Sequence, residues 1–334
     1  MRKIRNIPLI RASVVEPFIL AARAIGTPVE KLLESAGLPG VMLDDFELLV
    51  PEIPAWKLAQ AIARIEDAPL FGLQATFTLA HQDIRTVRPL IEGCINLKGL
   101  LERFCLIVPT QTNTGQYIIE EDGEFVWLRQ TGPRLLPDRV QVELFEVAGM
   151  MQLVQLVAGE KWRPPEIHFS FKHCDHVINA ELLNPSKIKF SQRYPAIVIP
   201  RGILMLEVPD LGASKDLGIS LPPVTLKDQL LYALPSYLGA QKLTETVLSD
   251  ITGMSFRTLQ RTLDNQCTSY SRILDQVRFQ KAQSLLKETD EKLLNISMML
   301  GYENASAFSR AFKRWSGVSP REFRTINVQI GHRI

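Results

Sequence analysis

The sequence predicts an α+β N-terminal domain followed by an all-α C-terminal domain, in which two helix–turn–helix units are joined by a linker helix. Three observations carry this. The last hundred residues hold two copies of one short pattern, LSDITGMSFRTLQRTL at 248–263 and ISMMLGYENASAFSRAFKRW at 296–315. Residues 116–129 run apolar, polar, apolar, as a hairpin does, while the segments around them keep helical spacing. Between the halves, Pro209, Gly212, Gly218, Pro222 and Pro223 break any regular pattern over residues 207–226, as an interdomain linker would.

Taken in order, residues 17–24 and 29–36 have helical patterning and end at Gly26 and Gly37. Residues 54–66 form a helix starting at a proline, with Leu58, Ile62 and Ile65 on one side. Residues 88–108 read as one helix through Leu90, Ile91, Ile95, Leu97, Leu101 and Phe104. The hairpin pairs Tyr117, Ile118 and Ile119 with Phe125, Val126 and Trp127 across a turn at Glu121-Asp122-Gly123. Residues 140–157 make a long apolar helix, read as core because no heptad is sustained. Residues 166–171 and 187–190 read as strands flanking a short helix.

In the C-terminal half each repeated unit is a short apolar helix, a glycine followed by a large apolar residue (Gly253-Met254, Gly301-Tyr302), and a second helix opened by small polar residues. At about 100° per residue, Phe256, Leu259 and Leu263 share one face of the first such helix, with Arg257, Thr258, Arg261 and Asn265 opposite. In the second, Phe308, Ala311, Phe312 and Trp315 oppose Ser306, Arg310, Lys313 and Arg314. An apolar back and a cationic, hydroxyl-bearing front suit a DNA major groove, where Lys and Arg meet phosphates and Arg, Gln and Asn reach base edges. Residues 271–287 form the spacer helix, about 25 Å long at ~1.5 Å per residue. A last helix begins at SPREF, with Ser319 and Glu322 as a capping box around Pro320.

GMSFRTLQR, Arg278 and Ala282 in the spacer, LGYENASAFSRAFKRWSGVSP and the closing REFR resemble, in order and spacing, the DNA-binding domain of AraC/XylS-type transcription regulators over residues 228–326. Ser249 and Ser297 stand where that family has a small Ala, and Thr252 where it has Leu, so looser packing of both first helices is expected. The order of GLP, IP before a helix, PLFGL and Ile167, Phe169, His173 resembles the arabinose-binding-type domain of one AraC subgroup over residues 12–206. The resemblance implies an effector domain at 1–206, a linker at 207–226, a DNA-binding domain at 227–326 and a tail at 327–334. It implies double-stranded DNA as partner, with Ser255, Arg257, Thr258, Gln260, Arg261, Asn304, Ser306, Ser309, Arg310, Lys313 and Arg314 at the contact. RNA polymerase would be a second partner if the chain activates.

The effector half is rich in Leu, Ile, Val and Phe, so the expected pocket is largely apolar and its small molecule apolar or amphipathic. No residue is assigned to that pocket. The alternative is a DNA-binding regulator controlled by abundance or a protein partner without a ligand. Either would act as a monomer or homodimer.

Charge and motif content bound the rest. Net charge is +2, yet residues 224–334 carry 15 Lys and Arg against 10 Asp and Glu, so the basic excess lies with the paired units. Cys94, Cys105, Cys174 and Cys267 lack CxxC spacing, which fits a reducing cytoplasm. Arg11 and Glu16 interrupt any signal-peptide core, and no apolar run of about 18 residues suggests a membrane span. His168, His173, Cys174, Asp175 and His176 lack a common zinc spacing, so no metal is expected. No GxSxG, HExxH, P-loop or GxGxxG occurs, so neither an enzyme nor a cofactor is expected.

Overall fold

The computed structural model describes residues 7–79, 90, 91, 93–209, 225–239 and 243–331. The chain divides into two compact units, one spanning Pro8–Pro222 and the other Pro223–Ile334 together with Ile7. Most of the linker expected at 207–226 lies outside the described residues. Of its ends, Val208 N–H still donates to Ile95 O within the first unit, and Thr225 caps the first helix of the second.

The N-terminal unit has two hydrophobic cores. The first is helical: α1 (Ala12–Ala24), α2 (Val29–Ala36), α3 (Glu52–Ile65) and α4 (Phe71–Leu79) pack Phe18, Ile19, Leu33, Trp56, Leu58, Ile62 and Phe71 together. A small antiparallel pair, β1 (Leu9–Arg11) and β2 (Leu49–Pro51), closes it. Gly37 ends α2 in the left-handed conformation that glycine adopts without a Cβ penalty.

The second core lies under a five-stranded sheet. Its strands are β3 (Tyr117–Asp122), β4 (Phe125–Gln130), β5 (Glu166–His168), β6 (Lys187–Lys189) and β7 (Ala196–Pro200), in the order β3-β4-β7-β5-β6. Only β5 and β6 run parallel. Register carries one apolar row across all five strands, Ile119–Leu128–Ile197–Ile167–Ile188, so a single sheet face turns to the core. The predicted hairpin is present, but its strand runs on through Asp122 and the loop is Gly123-Glu124, with Gly123 at φ +58°.

The expected helix at 88–108 is not continuous. Among the described residues the chain turns at Gly93 and restarts at α5 (Leu97–Gln111), where Asn96 Oδ1 accepts from Gly99 N at 3.1 Å. The long apolar helix is α6 (Val140–Ala158), which by length and composition could cross a membrane, contrary to the expectation that nothing here could. It is mostly buried, because it sits between the two cores: Val142 and Phe145 enter the helical one, and Leu144, Val147, Met151 and Val154 the one under the sheet. A short α7 (Asp175–Ile178) follows β5.

The C-terminal unit is all-α among its described residues. It comprises α8 (Leu226–Ala233), α9 (Glu245–Thr252), α10 (Phe256–Asp264), α11 (Tyr270–Glu288), α12 (Leu293–Met299), α13 (Ala305–Ser316) and α14 (Pro320–Gly331). Ile7 joins it, donating its N–H to the buried Gln229 Oε1 at 2.8 Å. The capping box at α14 forms as expected: Glu322 N–H donates to Ser319 Oγ at 3.2 Å, and Ser319 N–H to Glu322 Oε2 at 2.7 Å.

Candidate nucleic-acid interface

The two repeated units fold through the same local devices. Thr244 caps α9, and Gly253 ends it at φ +65°, turning the chain into α10. Ser255 caps α10, its Oγ accepting from Thr258 N at 3.3 Å. Leu259 and Leu263 are fully buried, and Phe256 meets Tyr270 edge-on at 6.0 Å. With the back of α10 held this way, Arg257, Gln260, Arg261 and Asn265 stand exposed.

In the second unit Gly301, at φ +73°, follows α12, and Asn304 caps α13 by accepting from Ala307 N at 2.8 Å. Phe308 and Phe312 are fully buried, and Phe312 packs on Phe279 of the spacer at 5.5 Å and on Phe323 at 5.3 Å. Ser306, Arg310, Lys313 and Arg314 are exposed.

The spacer α11 holds both units. Ile273, Val277, Ala282 and Leu286 are buried along it, and its 19 residues span about 28 Å at ~1.5 Å each. Arg278 fastens the second turn: its Nε donates to Leu300 O at 3.0 Å, and its guanidinium lies 4.6 Å from the Tyr302 ring centroid. The bond satisfies a carbonyl at the end of α12 that no helical partner reaches.

Two of the three family departures are absorbed locally, while Ser249 is half-buried. Thr252 is fully buried, with its Oγ1 donating to Leu248 O at 2.6 Å and accepting from Met254 N at 3.2 Å. Ser297 is fully buried too and donates to Leu294 O at 2.7 Å. Both hydroxyls are therefore satisfied, and neither side chain opens to solvent as looser packing would suggest.

The eleven residues singled out from the sequence are all solvent-accessible, but the structure sorts them. Ser255 and Asn304 spend their side-chain oxygens on caps; Thr258 Oγ1 lies 2.9 Å from Ser255 Oγ, and Ser309 donates to Ala305 O at 2.8 Å. Arg314 is tied to Asp275 of the spacer at 3.0 Å. Arg257, Gln260, Arg261, Ser306, Arg310 and Lys313 are exposed and take part in none of these bonds. A cleft of about 310 Å³ lies beside α10, lined by Phe256, Gln260, Asp264, Ser269, Tyr270 and Ser271.

In the N-terminal unit a cleft of about 280 Å³ is lined by Gln60, Arg64, Asp67, Asp138 and Gln141, with Ala63, Pro69 and Val140. Three of its lining residues, Arg64, Asp67 and Asp138, are charged, and two, Ala63 and Gln141, are buried. Among the described residues His168 meets Glu166 at 2.6 Å on the sheet, whereas His173 pairs with Asp175 at 2.9 Å on the surface.

Sequence reasoning missed one polar cluster in this unit, built around Arg139, which is 8 % exposed. Its Nη2 donates to Glu146 at 3.1 and 3.2 Å, and Glu143 lies 3.6 Å from its Nε. Glu52 of α3 is buried nearby and accepts from Trp56 Nε1 at 3.0 Å, Thr112 Oγ1 at 3.1 Å and Thr114 Oγ1. Burial pushes Glu146 up to about 7 against the pull of Arg139. Burial also raises Glu52, despite hydrogen bonds that favour its charged form. The available signal was two glutamates as the only charges in a long, apolar-rich helix.

Two family models match the chain. The arabinose-binding domain found at the N-terminus of AraC transcription regulators matches residues 26–208, and a helix-turn-helix domain matches residues 248–326. The chain is 35% identical over 86 residues to the HTH-type transcriptional activator CfaD of Escherichia coli, covering 26% of this chain and 32% of that protein. It is 35% identical over 98 residues to the HTH-type transcriptional activator RhaS of Enterobacter sp., covering 29% and 35%. The chain thus spans about a third of the length of these curated relatives. The solved structure of the transcriptional regulator CdpR from Pseudomonas aeruginosa is similar at 16% identity and a TM-score of 0.38, covering 89% of this chain and 96% of that one.

Proposed function

We propose, for a chain that belongs to the AraC family of transcription regulators, that α10 and α13 enter successive major-groove segments on one face of double-stranded DNA. The chain is a DNA-binding transcription regulator with an arabinose-binding-type N-terminal domain. The observation that carries the finer reading is the pair of helices, each with a buried apolar back and an exposed cationic front, mounted on one rigid spacer. A spacer of about 28 Å, with a helix packed at each end, suits sites about one turn of DNA apart, roughly 34 Å.

Within each front, Arg257, Arg261, Arg310 and Lys313 are assigned to phosphates and base edges, with Gln260 and Ser306 beside them. Ser255 and Asn304 act through the helix N-termini they cap, which present N–H groups to phosphate. Arg314 is assigned a lesser part, because Asp275 already neutralises it.

The N-terminal unit is the place for a small-molecule effector, which would act through unequal affinity for two states of the protein. The second reading, control by abundance or by a protein partner, draws support from one observation: the cleft beside Gln60 and Gln141 carries three charged side chains, Arg64, Asp67 and Asp138. CfaD and RhaS are named activators, and the same sign is proposed here, with RNA polymerase as partner and the cytoplasm as site of action.

The test is footprinting of Arg261→Ala, Arg310→Ala and Arg314→Ala on a natural target. Arg261→Ala and Arg310→Ala should each weaken binding by roughly 1–3 kcal/mol, or flatten the salt slope by about one phosphate, at different sub-sites. Arg314→Ala should do much less. If Arg261→Ala and Arg310→Ala both bind like the parent, the front faces are solvated surface and the assignment fails.

A further inference from the structure

The charged groups between the two cores of the N-terminal unit do not balance. Glu143 and Glu146 project from α6, the helix shared by both cores, and Glu52 comes from the first turn of α3 in the helical core. One guanidinium, Arg139, acts on all three. Facing them are Trp56 from α3, Thr112 and Thr114 from the segment after α5, Tyr117 from β3, with Cys105 of α5 beside it, and Ser170 from the segment after β5. Elements of both cores therefore meet at this one cluster.

Hydrogen bonding shows how each carboxylate is held. Glu143 accepts from Ser170 N at 2.7 Å and from Ser170 Oγ, which ties α6 to the end of β5. Glu52 accepts from three donors, tying α3 to the segment leading into β3. Glu146 accepts at both oxygens from Arg139 Nη2. Arg139 donates also to Pro133 O at 3.2 Å, so its charge is shared rather than dedicated. Three carboxylates against one cation, out of water, leave an excess negative charge that low dielectric makes costly. The least costly remedy is to bind a proton.

We propose that the Glu52–Arg139–Glu143–Glu146 cluster is a proton-operated clasp, which holds the helical core against the sheet core when it carries its extra proton and loosens when it loses it. The proton resides on Glu146, where burial, with Glu143 and Glu52 adding repulsion, outweighs the attraction of Arg139. The sign follows from linkage. A carboxyl whose pKa is raised on folding binds more protons folded than unfolded, so its stabilisation is fully present below about 4.5 and is lost as pH rises through about 7. Neutral pH is thus where the clasp changes state. Because Glu52 and Glu146 interact, the loss reads as a property of the cluster, not of one residue.

The test uses the full chain and needs no effector. Hydrogen exchange of the α3, β3 and α6 amides is followed between pH 5.5 and 8, corrected for the intrinsic pH dependence of exchange. In the parent, protection at these three elements should fall through pH 7, while that of the C-terminal helices stays level. In Glu146→Gln, which is permanently neutral, the step should disappear. If the step persists unchanged in Glu146→Gln, or protection rises with pH, the proposal is overturned. Should that variant fail to fold, infrared difference spectra of the parent between pH 6 and 8 decide the matter. Loss of a buried protonated-carboxyl band supports the clasp, and absence of any such band refutes it.

Discussion

Gly239→Ala and Gly317→Ala form a matched pair that tests how the second helix–turn–helix unit is assembled. Both glycines have positive φ, +77° and +82°, where an L side chain costs about 1–2 kcal/mol. They differ in what a Cβ would meet. At Gly317, behind α13, there is open space. At Gly239 a Cβ would lie 2.7 Å from Met299 O and 2.8 Å from Met299 Cα, the backbone at the end of α12. Backbone there cannot swing aside as a side-chain tip can. Relief needs a shift of roughly 0.7 Å towards ordinary contact, and overpacking of that kind adds about 1–3 kcal/mol. Gly239→Ala should therefore cost about 2–5 kcal/mol and Gly317→Ala about 1–2. The first is a large share of a domain's typical total of about 5–15. Hydrogen exchange of α12 and α13 in the full chain gives both numbers, and footprinting should show the second DNA sub-site lost before the first in Gly239→Ala. Equal costs for the two variants would mean that Gly239 is needed only for its backbone angles and that the close approach to α12 carries no weight.

Arg278→Lys should destabilise the second unit by about 1–3 kcal/mol in urea melts, because a lysine cannot both bond Leu300 O and lie flat over Tyr302; an unchanged midpoint would refute that account. Thr252→Val keeps the shape but leaves Met254 N–H without its hydroxyl acceptor, a loss of about 1–3 kcal/mol measurable by the same melts. Arg139→Gln should cost about 3–5 kcal/mol in the N-terminal unit, and the loss should grow from pH 5.5 to 8 as the unpaired carboxylates ionise; a pH-independent loss would argue against the cluster as drawn. Asn304→Ala should weaken α13 by about 1 kcal/mol, whereas Asn304→Asp should keep the cap while weakening DNA binding, since it brings a negative charge to the interface; equal affinity of Asn304→Asp and the parent would place this residue away from phosphate.

What the sequence determined by itself is local in origin. Helical spacing of Leu259 with Leu263, and of Phe308 with Phe312, placed both apolar backs, and the structure buries all four fully. Cap chemistry at Ser255, Asn304 and Ser319 and the glycine turns at Gly253 and Gly301 lie within a few residues of what they act on, so a single segment specifies them. The family frame read over residues 12–206 and 228–326, which the family models match over 26–208 and 248–326, rested on short motifs of the same local kind.

Other features were decided only when distant segments met. Strands β1 and β2 have three residues each, too few to show alternation, and β7 is buried on nearly every residue, so it has no polar face to reveal a period of two. The break at Gly93–Asn96 interrupts apolar spacing that continues across it, because Asn96 is extended and caps a new helix, its Oδ1 accepting from Gly99 N. Arg310 and Arg314 share one helical face in sequence, yet only Arg314 meets Asp275, a residue 39 positions away. Glu143 and Glu146 stand out in sequence only as the two charges of a long, apolar-rich helix. They became a buried cluster because α6 is gripped on two sides, and the face that a one-core helix would leave to water was needed to join the second core. Periodicity records which residues share a face; which partner covers that face is set by contacts between segments the pattern cannot relate.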